Sequence, residues 1–190
     1  MNALENISKR RSTRNFVKNI PVDDEIIRKM IFYGMNAPSA KNRQPWKFLV
    51  LKDTGKLTGL LYQKHEEIKD SKDPGSLYRT IKCIESASHI ILIFNNQLSA
   101  YYHDREFRRH RWLADVQSIG ACIQNMLLAG EELGVGSLWI CDVFYADKEI
   151  CDMFNRCDEL IAAVAVGIKG NTNCPKKYLV EFEQAVEWVE

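Results

Sequence analysis

Two short stretches near the start of the chain concentrate side chains that could hold an anionic ligand. Arg10-Arg11-Ser12-Thr13-Arg14 puts three guanidiniums and two hydroxyls into five residues. Guanidiniums stay charged and pair phosphate oxygens two at a time, so this composition suits a phosphate group. A solvated basic helix end has the same composition. The second stretch, Pro38-Ser39-Ala40-Lys41-Asn42-Arg43-Gln44-Pro45-Trp46, is a polar turn between prolines. It delivers amide and hydroxyl groups directly into the apolar run Trp46–Leu51, as a capped helix-to-strand turn would also do.

The familiar catalytic patterns are missing. His65, His89, His103 and His110 fall into no metal-binding spacing, and there is no Gly-x-Ser-x-Gly elbow. The turn Gly134-Val135-Gly136-Ser137 lacks the third glycine of a dinucleotide fingerprint and follows a helical pattern instead of a strand. A chain with so little acid–base or nucleophilic machinery fits a cofactor that performs its own redox chemistry, with the protein binding and orienting it.

The elements that must position these residues follow from periodicity and breakers. Ala3–Arg10 reads as a short helix, and Asp23 or Asp24 caps a second over Glu25–Asn36, ended by Pro38. Trp46–Leu51 is a strand, and Thr54 opens a helical stretch toward Ile68. The loop Ser71–Ser76 precedes a helix to about Glu85, and Ser88–Phe94 is a strand apolar on both faces. Residues 95–111 are polar, aromatic and basic without clean periodicity, and suit a solvated loop, a helix face or a substrate lid. From Trp112 to Leu133, apolar residues recur at spacings of four and three, with Gly120, Ala121 and Ala129 as small contact sites and Gly134 as the C-cap. So wide a stripe predicts burial on more than one side, in the core and against a second subunit. Ser137–Cys141, Asp147–Arg156 and Leu160–Ile168 read as strand, helix and strand, and 171–190 as an arm. This is an α+β pattern in a single domain spanning 1–190.

Bulk properties narrow the class. With 190 residues, 46% hydrophobic, and a net charge of +1, the chain has no nucleic-acid footprint. Its longest apolar runs, Ile90–Phe94 and Ile161–Ile168, are too short for a membrane span. Cys83, Cys122, Cys141, Cys151, Cys157 and Cys174 form no Cys-x-x-Cys pair and read as free, buried thiols. Together with the lack of an apolar signal core at the N-terminus, that predicts a cytoplasmic protein.

Taken together, the two early stretches resemble the FMN-dependent nitroreductase family. Arg10, Arg11, Ser12 and Arg14 match its Arg-Arg-Ser-x-Arg stretch, and Ala37 to Trp46 matches its Ala-Pro-Ser-x-x-Asn-x-Gln-Pro-Trp motif without a gap. Asp115, Ala121, Gln124, Asn125, Leu127, Leu128 and Gly134–Trp139 are similar to its long helix and the turn after it. Lys176 and Lys177, after Pro175, match a late basic pair.

The resemblance implies that Arg10, Arg11, Ser12 and Arg14 hold the phosphate and polar edge of FMN. It implies that Pro38, Ser39 and Ala40 reach the cofactor from a partner subunit, with Asn42 and Gln44 contacting it or bracing the loop. Trp139, Ile140 and Cys141 would lie along the flavin ring, and Lys176 and Lys177 near the phosphate. Cys141-Asp142 departs from the small residue, commonly glycine, found there in relatives. The implied fold is α+β, a central mixed but mainly antiparallel sheet flanked by helices, in a homodimer with exchanged terminal segments paired through the 112–133 helix. A charge at Ile123 or Met126 would then separate the subunits. The implied activity is ping-pong hydride transfer from NADH or NADPH through flavin N5 to a nitroaromatic or quinone-type small molecule, without a catalytic side chain. A relative with another second substrate (dehalogenating or flavin-consuming), a flavin-binding redox sensor, and an interaction protein with a surface-only basic stretch remain the alternatives.

Overall fold

The computed structural model describes residues 2–70, 75–97, 105–171 and 177–189. The strand β2 (His89–Asn95) organises the fold. Every residue in it is buried, which a strand achieves only with neighbours on both edges and layers on both faces. Its edge neighbours are β1 (Trp46–Leu51) and β4 (Glu159–Gly167), and β3 (Gly136–Ile140) adds beyond β4, giving the order β1-β2-β4-β3. All three pairings are antiparallel. Among the described residues, the parallel component expected of a mixed sheet is confined to an isolated bridge between Ser12 and Ser137.

Period-two alternation sends β2 side chains to two cores. Ile90, Leu92 and Phe94 meet α3 (Gly55–Ile68) and α4 (Gly75–Ser86) through Leu57, Leu61, Leu77, Ile81 and Ile84. Ile91 and Ile93 meet α2 (Asp24–Met35) and α5 (Arg105–Glu132) through Ile27, Met30, Ile119, Ile123 and Met126. On β4 the alternation slips once. Ile93 pairs with Ala162 but Phe94 with Leu160, so Ile161 is an inserted residue, and Ile161 and Ala162 both turn to the α2/α5 side.

The remaining elements are α1 (Ala3–Lys9), α6 (Asp147–Met153) and a one-turn α7 (Phe182–Ala185). Asp23 is the cap of α2, its carboxylate accepting from the Glu25 amide at 2.9 Å. Among the described residues, α5 runs from Arg105, so residues 105–111 are helical, with Phe107 and His110 exposed. Tyr101, Tyr102, His103 and Asp104, also part of the suspected lid, lie outside the described residues. At its other end Gly134 (φ 79°) breaks the helix in the left-handed region, where glycine has no side-chain clash. The arm at 177–189 holds Tyr178, Leu179, Phe182 and Trp188 largely in solvent. No helix among the described residues is long and apolar enough to cross a membrane.

Ile123 and Met126 are fully buried within the chain's own α2/α5 core. The expectation that a charge there would act on the dimer is therefore corrected: it would strike the fold first. Five described cysteines are free, but only Cys83 and Cys122 are buried, whereas Cys141 and Cys157 are exposed and Cys151 is half-buried. Uniform burial of the thiols is thus corrected as well, and Cys174 lies outside the described residues.

Candidate functional site

The segment carrying Arg10–Arg14 is held against the open edge of the sheet. Thr13 donates its amide to the Ser137 carbonyl at 2.9 Å, and Val17 donates to Ile168 at 2.9 Å. This lie-down needs bare backbone beneath it. A Cβ on Gly136 would sit 2.8 Å from Thr13 Cγ2 and Oγ1, and one on Gly167 would sit 2.8 Å from the Phe16 ring. Both glycines thus leave room for the Thr13 and Phe16 side chains of the segment lying over them.

The arginines then part ways. Arg11 turns back onto α1, its Nη1 donating to the carbonyls of Ser8 (2.7 Å), Lys9 (3.2 Å) and Arg10 (3.0 Å). It is a cation at a helix C-terminus, satisfying carbonyls that the helix leaves without partners. Arg10 and Ser12 are half-buried, while Arg14 is exposed and lines a cavity of about 250 Å³.

That cavity lies where the end of β3 meets α4. Leu138, Trp139, Ile140 and Cys141 form one wall, and Ser76, Arg79, Thr80 and Cys83, one face of α4, form the other. Asp142 closes it and accepts a hydrogen bond from the Thr80 hydroxyl at 2.6 Å. Trp139 is 37% exposed and stands over Gly120 of α5, whose Cβ position would lie 3.5 Å from the indole. Burial pushes the Cys83 thiol up to about 12 despite the nearby Arg14 charge. Partial burial, assisted by the Asp142 carboxylate, also raises Cys141. Neither thiol is poised as a nucleophile at neutral pH.

Arg79, Thr80 and Asp142 belong to no motif in the sequence. The available signal was the i, i+3/i+4, i+7 spacing of Ser76, Arg79/Thr80 and Cys83, which puts a polar group and a cation on one helical face. That face acquires meaning only once β3 is docked beside it.

The second stretch is a tight turn of its own. Ser39 Oγ accepts from the Gln44 amide at 3.0 Å, and Gln44 donates to Asn42 at 3.3 Å. Lys41, Asn42 and Gln44 take φ values of 55°, 52° and 49°, left-handed conformations that the surroundings must hold. The holding residue is Asp115 of α5, 1% exposed, whose Oδ1 takes Nε and Nη2 of Arg43 at 3.0 and 2.5 Å. Ser118 adds a hydrogen bond from the Ala40 amide at 3.3 Å. None of residues 38–44 lines the cavity, so one chain does not bring the two motifs together. Pro38, Asn42 and Gln44 are exposed, and Ser39 and Ala40 are half-buried. Lys177 is exposed, and Lys176 lies outside the described residues.

The cavity therefore offers two guanidiniums, one carboxylate and an apolar β3 floor, with the Trp139 indole turned to α5. Among the described residues, no group of three or more His, Cys, Asp or Glu side chains is placed to hold a metal ion. Such a site can hold a flat, partly anionic molecule and stabilise charge on it.

Comparison with known proteins agrees in kind. Residues 7–168 match the model of the Nitroreductase family. A protein of Archaeoglobus fulgidus, provisionally named NADH dehydrogenase/NAD(P)H nitroreductase, is 31% identical over 137 residues, which are 72% of this chain and 66% of that one. The chain thus spans just under two thirds of that relative's length. Among solved structures, a BluB-like flavoprotein of Clostridium difficile 630 superposes with a TM-score of 0.79 at 28% identity, covering 100% of both chains. A provisionally named nitroreductase of Desulfovibrio desulfuricans, solved in complex with FMN, gives a TM-score of 0.74 at 25% identity, covering 100% of this chain and 98% of that one.

Proposed function

The chain belongs to the nitroreductase family, and on that premise we propose that it is a single-domain FMN-dependent oxidoreductase. The observation that carries the reading is the cavity in which Arg14 and Arg79 face an apolar β3 wall. The residues present fit the cofactor. FMN joins an anionic phosphate to a flat, largely apolar ring, and the cavity joins cations to Leu138, Trp139 and Ile140. When bound, FMN supplies the redox chemistry, taking hydride from NADH or NADPH at N5 and passing electrons to a nitroaromatic or quinone-type acceptor in ping-pong fashion.

The protein's own part is binding, orientation and electrostatics. Arg10, Ser12 and Arg14 supply donors and charge for the phosphate and polar edge, with Lys176 and Lys177 as late additions. Trp139 and Ile140 line the ring, beside Cys141. Arg14, Arg79 or a β3 amide opposes the negative charge that develops on reduction. Arg11 contributes indirectly, by closing α1. Pro38, Ser39, Ala40, Asn42 and Gln44 serve the site of a second copy. Their absence from this chain's own cavity supports that division, and the exposed apolar arm supports a homodimer with exchanged ends. Free thiols support a cytoplasmic, reducing setting.

The test is an anaerobic titration of the FMN-loaded protein with NADH and NADPH, followed by reoxidation with a panel of acceptors. Bleaching by one donor and reoxidation by menadione or nitrofurazone is the expected result. A colourless protein that cannot be reconstituted with FMN would remove the proposal. Bleaching with turnover of neither acceptor would leave a relative with another second substrate, or a redox sensor.

A further inference from the structure

Asp142 is the only carboxylate lining the cavity among the described residues. It opens the short 3-10 turn Asp142–Ala146, where a nearby carboxylate would ordinarily cap free amides. The turn nevertheless has no side-chain cap, and Asp142 Oδ2 instead reaches across to α4 and accepts the Thr80 hydroxyl at 2.6 Å. Arg14 and Arg79 line the same cavity, yet neither forms an ion pair with Asp142 among the described residues. A carboxylate without an ion pair, on the wall of a cavity whose two arginines suit an anionic group, works against binding unless it does something else.

Resting on the flavin reading above, we propose that Asp142 sets the electron affinity of the bound cofactor. Its fixed charge on the cavity wall disfavours reduced FMN relative to oxidised FMN and so keeps the loaded protein a stronger electron donor to its acceptor. The electron balance gives the sign. Hydride from the nicotinamide brings two electrons and one proton, leaving the nicotinamide oxidised and the ring one unit more negative. A wall carboxylate repels that added charge and interacts less with the neutral oxidised ring. Taken as a sphere, 250 Å³ is about 8 Å across, within about one Debye length at physiological salt, so a wall charge is felt by whatever fills the space. Thr80, 9% exposed, is the positioning residue: its hydroxyl proton is committed to Asp142, which holds the carboxylate against the wall.

The experiment compares the wild-type protein, Asp142→Asn and Thr80→Val, each loaded with FMN. Dye-equilibrated reduction potentials are measured anaerobically, and dissociation constants for oxidised FMN by fluorescence. The asparagine keeps size and the hydrogen-bond acceptor for Thr80 but removes the charge. It should raise the affinity ratio of reduced over oxidised cofactor about tenfold, a potential about 30 mV higher for a two-electron couple. Thr80→Val retains the charge and should shift that ratio less than about threefold, a smaller effect in the same bookkeeping of ratios. An Asp142→Asn protein with bound FMN and an unchanged or lower potential overturns the proposal. So does Thr80→Val matching the shift of Asp142→Asn, which would assign the effect to hydrogen-bond geometry. A wild-type protein that binds FMN in neither oxidation state overturns the flavin reading itself, and this proposal with it.

Discussion

At the scale of single residues, the three arginines of the first motif are chemically equivalent in sequence and different in place. Arg11 is engaged by three carbonyls at the end of α1, whereas Arg14 lines the cavity and Arg10, half-buried, lies four residues before it on the same segment. Substituting Arg10 or Arg14 with Ala should remove a charge-assisted contact and cost about 1.5–3 kcal/mol of FMN affinity, roughly ten- to a hundredfold. Arg11→Ala should leave the FMN dissociation constant within about threefold and instead lower stability by about 0.5–1 kcal/mol, the worth of a cation at a helix C-terminus. Titration of FMN fluorescence and thermal melts on the three variants check both statements. Equal loss of FMN binding in all three would put Arg11 in the site. A composition of guanidiniums marks a place for an anion but not which of them faces it, because that depends on where the α1 carbonyls end.

At the scale of elements, the turn at 38–44 is kept in its left-handed conformations by one buried ion pair with α5. Asp115 is 1% exposed and Arg43 is largely covered, so removing either partner leaves an uncompensated buried charge. Arg43→Ala should therefore destabilise the chain by about 3–5 kcal/mol, and Arg43→Met with Asp115→Leu should recover much of that loss. Denaturant midpoints of the single and double variants measure it, and a double variant as unstable as the single would argue against charge burial as the cause. The two helices on opposite faces of the sheet also bury a thiol each, Cys83 on α4 and Cys122 on α5, both pushed from 9.0 to about 12 by burial. The folded value lies above the unfolded one, so this contribution is fully present below pH 9 and is lost as pH rises toward 12. Between pH 8 and 10 the wild type should lose about 2–3 kcal/mol more than a Cys83→Ala/Cys122→Ala variant, since each thiol removes about 1.4 kcal/mol per unit only above pH 9 and almost nothing below it. Parallel slopes for the two proteins in pH-dependent denaturation would contradict it. Element identity was legible where the pattern was extreme: the unbroken apolar runs of β2 and β4 specify interior strands, and Pro38 and Gly134 punctuate the helices they follow. The turns of α5 at 105–111 were less so, because that stretch is rich in arginine and carries no apolar period.

At the scale of the whole molecule, periodicity announced that α5 is apolar beyond one face, but it could not say which side its own chain would cover. Packing against α2 and the sheet takes Ile119, Ile123 and Met126, whereas Leu113 (46% exposed) and Trp112 (40% exposed) remain outside. The candidate site was split by the same limit. The turn at 38–44 and the Arg10–Arg14 stretch were each visible as motifs, and the resemblance already implied that the turn serves a partner's site, but only the fold reveals that α4 supplies Arg79 and Thr80. The exposed apolar residues of α2 (Phe32, Tyr33), α5 and the arm together exceed the scattered surface hydrophobics of a monomer, and they favour a partner of the obligate size class, above about 2,000 Å². Leu113→Asp, at an exposed position outside the core, should convert a dimer to monomers while the secondary structure and the chain's own cavity persist. Because residues 38–44 of one copy would complete the site of the other, FMN should be released in step. Ile123→Asp should instead lower the melting temperature sharply at any protein concentration, since burying an unpaired charge in the α2/α5 core undermines each subunit separately. Light scattering, flavin content and melts on the two variants separate these outcomes. A Leu113→Asp monomer that keeps stoichiometric FMN would mean that Arg14, Arg79 and the β3 wall suffice, and the shared site would have to be abandoned.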